Sequence, residues 1–144
     1  MDGIKGLFAG LRTSASGSAA QRVRLNTIAE NIAQAEVTKS PDGSGPYRRK
    51  LVYLEPISKR GDDGRMTTDG VRVSKIVQDT STPFEVVHDP SHPDADAEGN
   101  VLFPNVNTTK EMADMILAMR AYEANLNASD MFVRMAERAL RIAQ

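Results

Sequence analysis

The chain has 144 residues, 40% of them hydrophobic, 26% charged and 5% aromatic, with a net charge of −1 and neither Trp nor Cys. Near-neutral charge argues against a nucleic-acid partner, because phosphate binding needs an excess of Lys and Arg on some face. The lack of Cys excludes disulfides, thiolate zinc sites and thiol nucleophiles, and no run approaches the roughly 18 apolar residues of a membrane span, so direct membrane insertion is not expected.

The first periodic segment covers residues 4–35. Ile4, Phe8, Leu11, Ala15, Ser18, Arg22, Leu25, Ala29 and Ile32 recur in steps of four and three, with Leu7 and Ile28 beside the stripe. That spacing belongs to a helix with a helical partner, although Ser18 and Arg22 weaken it. Gly10, Ser14 and Ser18 make a ridge of small residues that lets another backbone come close. Gly10 and Gly17 each cost up to about 1 kcal/mol against Ala; one long helix is preferred over a break into two.

The middle of the chain differs in kind. The turn cluster from Ser40 through Pro41, Asp42, Gly43, Ser44 and Gly45 to Pro46 ends the helix. Tyr47, Arg49, Leu51 and Tyr53 alternate as in a strand, and Gly61-Asp62-Asp63-Gly64 reads as a turn. Val71, Val73, Lys75 and Val77 alternate again. Shorter strands are expected at 84–88 and 101–103, separated by Pro90, Pro93 and Gly99. So few apolar residues make this β region marginal by itself.

The second helix is expected from 109 to about 142, roughly 50 Å at 1.5 Å per residue. Thr108-Thr109-Lys110-Glu111 fits a capping box, with the Thr108 hydroxyl on the Glu111 amide and the carboxylate reaching back. Beyond it Met112, Met115, Met119, Tyr122, Leu126, Ser129, Val133, Ala136 and Leu140 form a heptad seam without Gly or Pro.

The expected fold is therefore mainly α with a small β region. Long N- and C-terminal helices (1–36 and 108–144) pair as an antiparallel coiled coil around a short loop-rich β segment (37–107). Met112, Met115, Met119, Tyr122 and Leu126 should pack against Leu11, Leu25 and Ile32. The outer faces stay rich in Ala and Met (Ala118, Ala121, Ala124, Ala128 and Met131), which suits further helical neighbours and a chain completed by assembly.

No catalytic, cofactor or metal site emerges. Asp94-Ala95-Asp96-Ala97-Glu98-Gly99 imitates the start of an EF-hand loop, but the bidentate Glu of position twelve is Asn105, so an acidic hairpin turn is favoured. His88 and His92 sit in a Pro-bracketed loop without Cys or helical His spacing. There is no Gly-x-Ser-x-Gly elbow, Walker loop or Gly-x-Gly-x-x-Gly. The acids between 79 and 98, with no Lys or Arg among them, read as a solvated loop face. The chain is not expected to be an enzyme.

Three groups of residues carry a family resemblance. Asn31-Ile32-Ala33 closes the first helix, Pro104-Asn105-Val106-Asn107 leads into Glu111-Met112, and Arg120-Ala121-Tyr122-Glu123-Ala124-Asn125 lies within the second. The chain resembles the bacterial flagellar axial proteins, the rod and hook subunits and their relatives. The short middle, with Gly45-Pro46-Tyr47-Arg48-Arg49-Lys50 and His92-Pro93-Asp94-Ala95-Asp96, is most similar to proximal-rod members. Where the family usually reads Asn-Asn-Ile-Ala-Asn, Glu30 and Gln34 replace the outer two Asn.

The resemblance implies a structural subunit of the basal-body rod in the periplasmic space, exported without a cleavable signal peptide through the flagellar type III export apparatus. It implies as neighbours the rod proteins FlgB, FlgF and FlgG, the adaptor FliE and further copies of the chain itself. Asn31 is expected to hydrogen-bond backbone where the first helix ends, and Arg120 and Asn125 to fix register between subunits. Leu11, Leu25, Ile28, Asn31, Ile32, Val133 and Leu140 join the second-helix seam as expected packing residues. The competing class, a soluble coiled-coil adaptor or export chaperone, would share the helices but need neither the Pro-Asn-Val-Asn nor the Tyr-Arg-Arg-Lys segment.

Overall fold

The computed structural model describes the backbone of residues 2–40, 43, 45–60, 64 and 66–142, and their side chains except at 2–5, 7 and 142. Pro41, Asp42 and Ser44 of the first turn cluster and Gly61, Asp62 and Asp63 of the second lie outside the described residues, as do the side chains of Ile4 and Leu7.

Helix α1 runs Asp2–Ala33, strands β1 and β2 run Lys50–Arg60 and Met66–Gln78, β3 and β4 run Glu85–His88 and Asn100–Phe103, and α2 runs Thr108–Ile142. The architecture is mainly α with a small β region. The strands form two separate antiparallel hairpins, β1 with β2 and β3 with β4. The first pairs Lys50 with Gln78 and Arg60 with Met66, with register shifts at Tyr53/Leu54 and Pro56/Ser58. Pro56, which lacks an N–H, fits beside such an irregularity in a two-stranded ribbon. β1 runs beyond the predicted end at Leu54, to Arg60, with Glu55 and Ile57 half-buried and Ser58 to Arg60 exposed.

Helix α1 is sandwiched. Its one side packs on α2: a Cβ built on Gly10 would strike the Phe132 ring, one on Gly17 would lie 2.8 Å from Asn125 Nδ2, and Asn31 meets Glu111. Partner numbers thus descend along α2 as they ascend along α1. The other side carries the β1–β2 hairpin, which follows α1 from Asn31, bonded to Lys50, outward to Arg12, whose Nη2 lies 3.0 Å from Asp69. Between them the Val71 N–H donates to Ser16 Oγ at 3.1 Å. Gly70, at φ 136, brings the hairpin so close that a Cβ there would collide with Ser16.

Gly10 and Gly17 therefore do not break the helix. They are where its partner comes nearest, and packing outweighs their propensity cost.

The face that α2 turns to α1 keeps half of the predicted seam, Met115, Tyr122, Ser129 and Ala136, and replaces the other half by its preceding neighbours, Glu111, Ala118, Asn125 and Phe132. Glu111 and Ala118 are buried, and Met115, Tyr122, Asn125, Ser129, Phe132 and Ala136 are partly buried. Met112, Met119, Leu126, Val133 and Leu140 are exposed. On α1 the contact line runs through Gly10, Ser14, Gly17, Ile28 and Asn31, with Leu11, Leu25 and Ile32 only half-buried beside it. Small residues win the inner line because they allow close backbone approach, whereas Leu and Met would hold the helices apart. The expected packing of Met112, Met119 and Leu126 against Leu11, Leu25 and Ile32 is corrected accordingly.

The start of α2 also differs from the expected capping box. Asn107, not Thr108, is the cap: its Oδ1 accepts the Lys110 N–H at 2.9 Å, and Thr108 is already helical. Asn caps at least as well as Thr. The Glu111 carboxylate, expected to turn back to the cap, points inward to a charged partner that holds it more strongly.

Candidate functional site

The partner of Glu111 belongs to a buried polar node that joins five segments of the chain. Asn31 and Glu111 are each only 1% exposed. The Asn31 amide nitrogen donates to Lys50 O and to Glu111 Oε2, both at 3.0 Å. Its Oδ1 accepts the Tyr47 hydroxyl and the Lys50 N–H, both at 2.9 Å. Asn31 thus bonds backbone as expected, but that of Lys50 across the fold rather than at its own helix end.

Arg49 Nε donates to Glu111 Oε1 at 2.6 Å, and its Nη2 lies at the same distance from that oxygen. The Arg49 N–H donates to Asn105 Oδ1 at 2.8 Å. Asn105 then donates to the carbonyls of Asp79, at 2.9 Å, and Thr82, at 3.0 Å. The circuit ends at Asp79, whose carboxylate accepts hydrogen bonds from the hydroxyls and backbone amides of Ser81 and Thr82. Those bonds, the Ser81 hydroxyl foremost, hold its pKa well below the usual carboxylate range. Outside the node, Arg48 donates to Asp79 O and stacks 4.1 Å above the Phe84 ring.

Tyr47 is on the protonated side of this balance. Burial, then the charges of Glu30 and Glu111, push its hydroxyl up to about 12. A neutral hydroxyl is what Asn31 Oδ1 requires as a donor. The strand predicted from Tyr47 begins only at Lys50: the Tyr47 hydroxyl and the Arg49 N–H bond the node, and the Tyr47 N–H donates to Val37 O instead of a neighbouring strand.

With both carboxylate oxygens of Glu111 and all four hydrogen-bonding positions of Asn31 satisfied, the node is a clasp, not a reactive centre. It fixes the end of α1, the root of the hairpin and the start of α2 in one geometry. Sequence reasoning missed Tyr47, Arg49, Asp79 and Asn105 as a set. Tyr47, Arg49 and Asn105 were signalled only by the family-like motifs Tyr47-Arg48-Arg49-Lys50 and Pro104-Asn105-Val106-Asn107, and Asp79 by neither.

The second feature is the uncovered surface of the helix pair. Ala15, Ser18, Ala19 and Arg22 of α1 and Tyr122, Leu126 and Ser129 of α2 line an open groove. Met112, Met119, Leu126, Val133 and Leu140 continue it as an exposed apolar stripe, and Leu117, Met131 and Met135 are exposed on the other flank of α2. At about 100° per residue the two stripes lie on either side of the line that faces α1. Asn125 sits against Gly17 of its own chain, inside the pair, whereas Arg120 is exposed, with Glu123 at 3.7 Å as its ion-pair partner among the described residues.

The acidic segment forms hydrogen-bonded turns. Asp96 Oδ1 accepts the N–H of Glu98 and of Asn100, and His92 Nδ1 accepts that of Asp94. Among the described residues there is no group of three or more metal-ligating side chains, and no helix is long and apolar enough to cross a membrane.

A satisfied polar clasp beneath a long helix pair with bare apolar flanks defines a structural, assembly-forming subunit. Comparison with known proteins gives the same class. Residues 97–142 match the family model for the C-terminal part of flagellar basal body rod FlgEFG proteins. The chain is 40% identical to the flagellar basal-body rod protein FlgC of Bacillus subtilis, across 95% of this chain and 98% of that one. It is 40% identical to FlgC of Borreliella burgdorferi, covering 96% and 99%, and 36% identical to FlgC of Salmonella typhimurium, covering 90% and 92%. The chain belongs to the FlgC family of flagellar basal-body rod proteins.

Proposed function

We propose that this chain is a proximal-rod subunit that self-assembles by helix packing into the torque-transmitting shaft of the flagellum. The observation that carries the reading is the pair of exposed apolar stripes flanking the α1–α2 contact. Large side chains at helical spacing on both flanks suit a subunit with neighbours on both sides.

In this reading the ends, 1–36 and 108–144, form an antiparallel coiled coil and a helical inner layer, and 37–107 is the small β region that faces outward, its first hairpin lying along α1. Met112, Met119, Leu126, Val133 and Leu140, with Arg120 at the polar border, contact other subunits. Met115, Tyr122 and Asn125 hold the pair together from within. The neighbours are the rod proteins FlgB, FlgF and FlgG, the adaptor FliE and further copies of the chain. The subunit works in the periplasmic part of the basal body, reaches it through the flagellar type III export apparatus, and acts without catalysis. Stiffness against torque follows from long helices packed on several sides, with the clasp preventing the hairpin from sliding along α1.

The test is a cell whose only copy carries Leu126→Glu or Leu117→Glu, one charge on each stripe. Both variants should be absent from purified basal bodies and the cells should not swim. Incorporation of both at the parental level would overturn the reading.

A further inference from the structure

The uncovered helix face carries a chemistry that packing does not require. Met112, Met119, Met131 and Met135 are 45–64% exposed, all on α2, and divided between its two apolar stripes. The chain has no Cys, and among the described residues these are its most exposed methionines apart from Met66, which is 68% exposed at the end of β2 nearest the hairpin tip.

We propose that these four methionines are a peroxide-sensitive modification site that controls whether a subunit can join the assembly. The proposal rests on the reading that the two stripes are subunit contacts. A thioether lone pair attacks one oxygen of a hydroperoxide, the S–O bond forms as the O–O bond breaks, and water or an alcohol leaves. Sulfur is oxidised by two electrons and the peroxide is reduced by two. The product is a methionine sulfoxide, polar and strongly hydrogen-bond accepting.

On a stripe made to be covered by apolar side chains, that oxygen meets no donor, and burying it unpaired opposes assembly. Once the stripes are covered, the sulfurs are no longer reachable, so the sensitivity is confined to subunits outside the rod. Leu in their place would fill similar volume without the reactivity. Met66 gives an internal comparison: it is equally reachable but lies on the hairpin, away from both stripes.

The experiment exposes cells to hydrogen peroxide while rods are being built, with three versions of the chain as the only copy. These are the parent, one with Met112, Met119, Met131 and Met135 all changed to Leu, and one with Met66→Leu. Incorporation into basal bodies is measured relative to each version's own untreated value. Peptide mass spectrometry reads sulfoxide in assembled and unassembled subunits.

Parent and Met66→Leu should lose incorporation about tenfold, as expected when a buried apolar contact becomes polar, while the fourfold Leu version resists. Sulfoxide at the four positions should be confined to unassembled subunits. Equal loss in parent and fourfold Leu chains, or equal sulfoxide inside and outside the basal body, would overturn the proposal. If the Glu variants at Leu126 and Leu117 still block assembly in that case, the packing reading stands and only the oxidative control falls.

Discussion

Tyr47 and Asp79 sit in the same clasp with opposite protonation demands, and this gives the assembly two pH limits. The Tyr47 hydroxyl is raised to about 12 by burial and by Glu30 and Glu111. A raised group contributes stability that is complete below its ordinary value near 10 and is lost as pH rises from there to about 12. Isolated basal bodies should therefore loosen through that window, and Tyr47→Phe should flatten the dependence while lowering stability at neutral pH, since Asn31 loses a donor. An unchanged alkaline profile in the variant would refute this.

Asp79 works in the other direction. Its lowered pKa contributes stability that is present above about 4 and disappears as pH falls below that value. Replacing Ser81 and Thr82 by Ala removes the two hydroxyl donors to its carboxylate. Acid dissociation of the assembly should then begin at higher pH than in the parent, measured as subunit release against pH.

At the scale of elements, much of the fold was legible and one decisive detail was not. Both helices are readable because apolar spacing runs through each without a Pro, and the four strands because their runs lie between turn residues, though their pairing into two hairpins is not. What spacing cannot give is which face turns inward. It picks out the most apolar stripe, here Leu11, Leu25, Met112, Met119, Leu126 and Val133, whereas close approach selects the line of Gly10, Ser14, Gly17, Ala118 and Asn125. In a chain folding alone the two lines would coincide; here they separate, which accords with the proposal that the larger residues face other subunits. The clasp was illegible for another reason: Asn31 and Glu111 lie 80 residues apart, and no periodicity links a buried Asn to a buried Glu.

The offset makes Gly17 a sharp test. Gly17→Ala should strengthen an isolated helix by up to about 1 kcal/mol, yet its Cβ would lie 2.8 Å from Asn125 Nδ2. The single variant should incorporate poorly into basal bodies, and adding Asn125→Ala, which removes the obstructing amide, should restore much of the loss. Gly6→Ala, with nothing within 4 Å of its Cβ, should incorporate normally. A Gly17→Ala chain that assembles like the parent would place the helix contact elsewhere.

For the whole molecule the balance of buried groups matters most. Among the described residues the buried hydrophobics are Ala20, Ile28, Val101 and Ala118, while Ser14, Thr27, Asn31, Asp79, Asn105 and Glu111 are buried and polar. Such a core returns little hydrophobic free energy against an ordering cost of about 1–2 kcal/mol per residue of backbone. Polar networks fix geometry once formed, but their net contribution to stability is small. Most of the large apolar side chains of α2 are exposed in the single chain. Long helices of this kind are marginal alone in water and are completed by packing. The isolated chain in dilute solution should therefore show far less helix by far-ultraviolet circular dichroism than the 32 and 35 residues of α1 and α2 would give when folded. The missing signal should appear only on assembly. Under the proposed export route that order of events has a use, because stripes that become rigid only at the growing end do not associate on the way there. A cooperative melt from a fully helical monomer would contradict it, and would mean that the inner line of small residues is sufficient to hold the pair without neighbours.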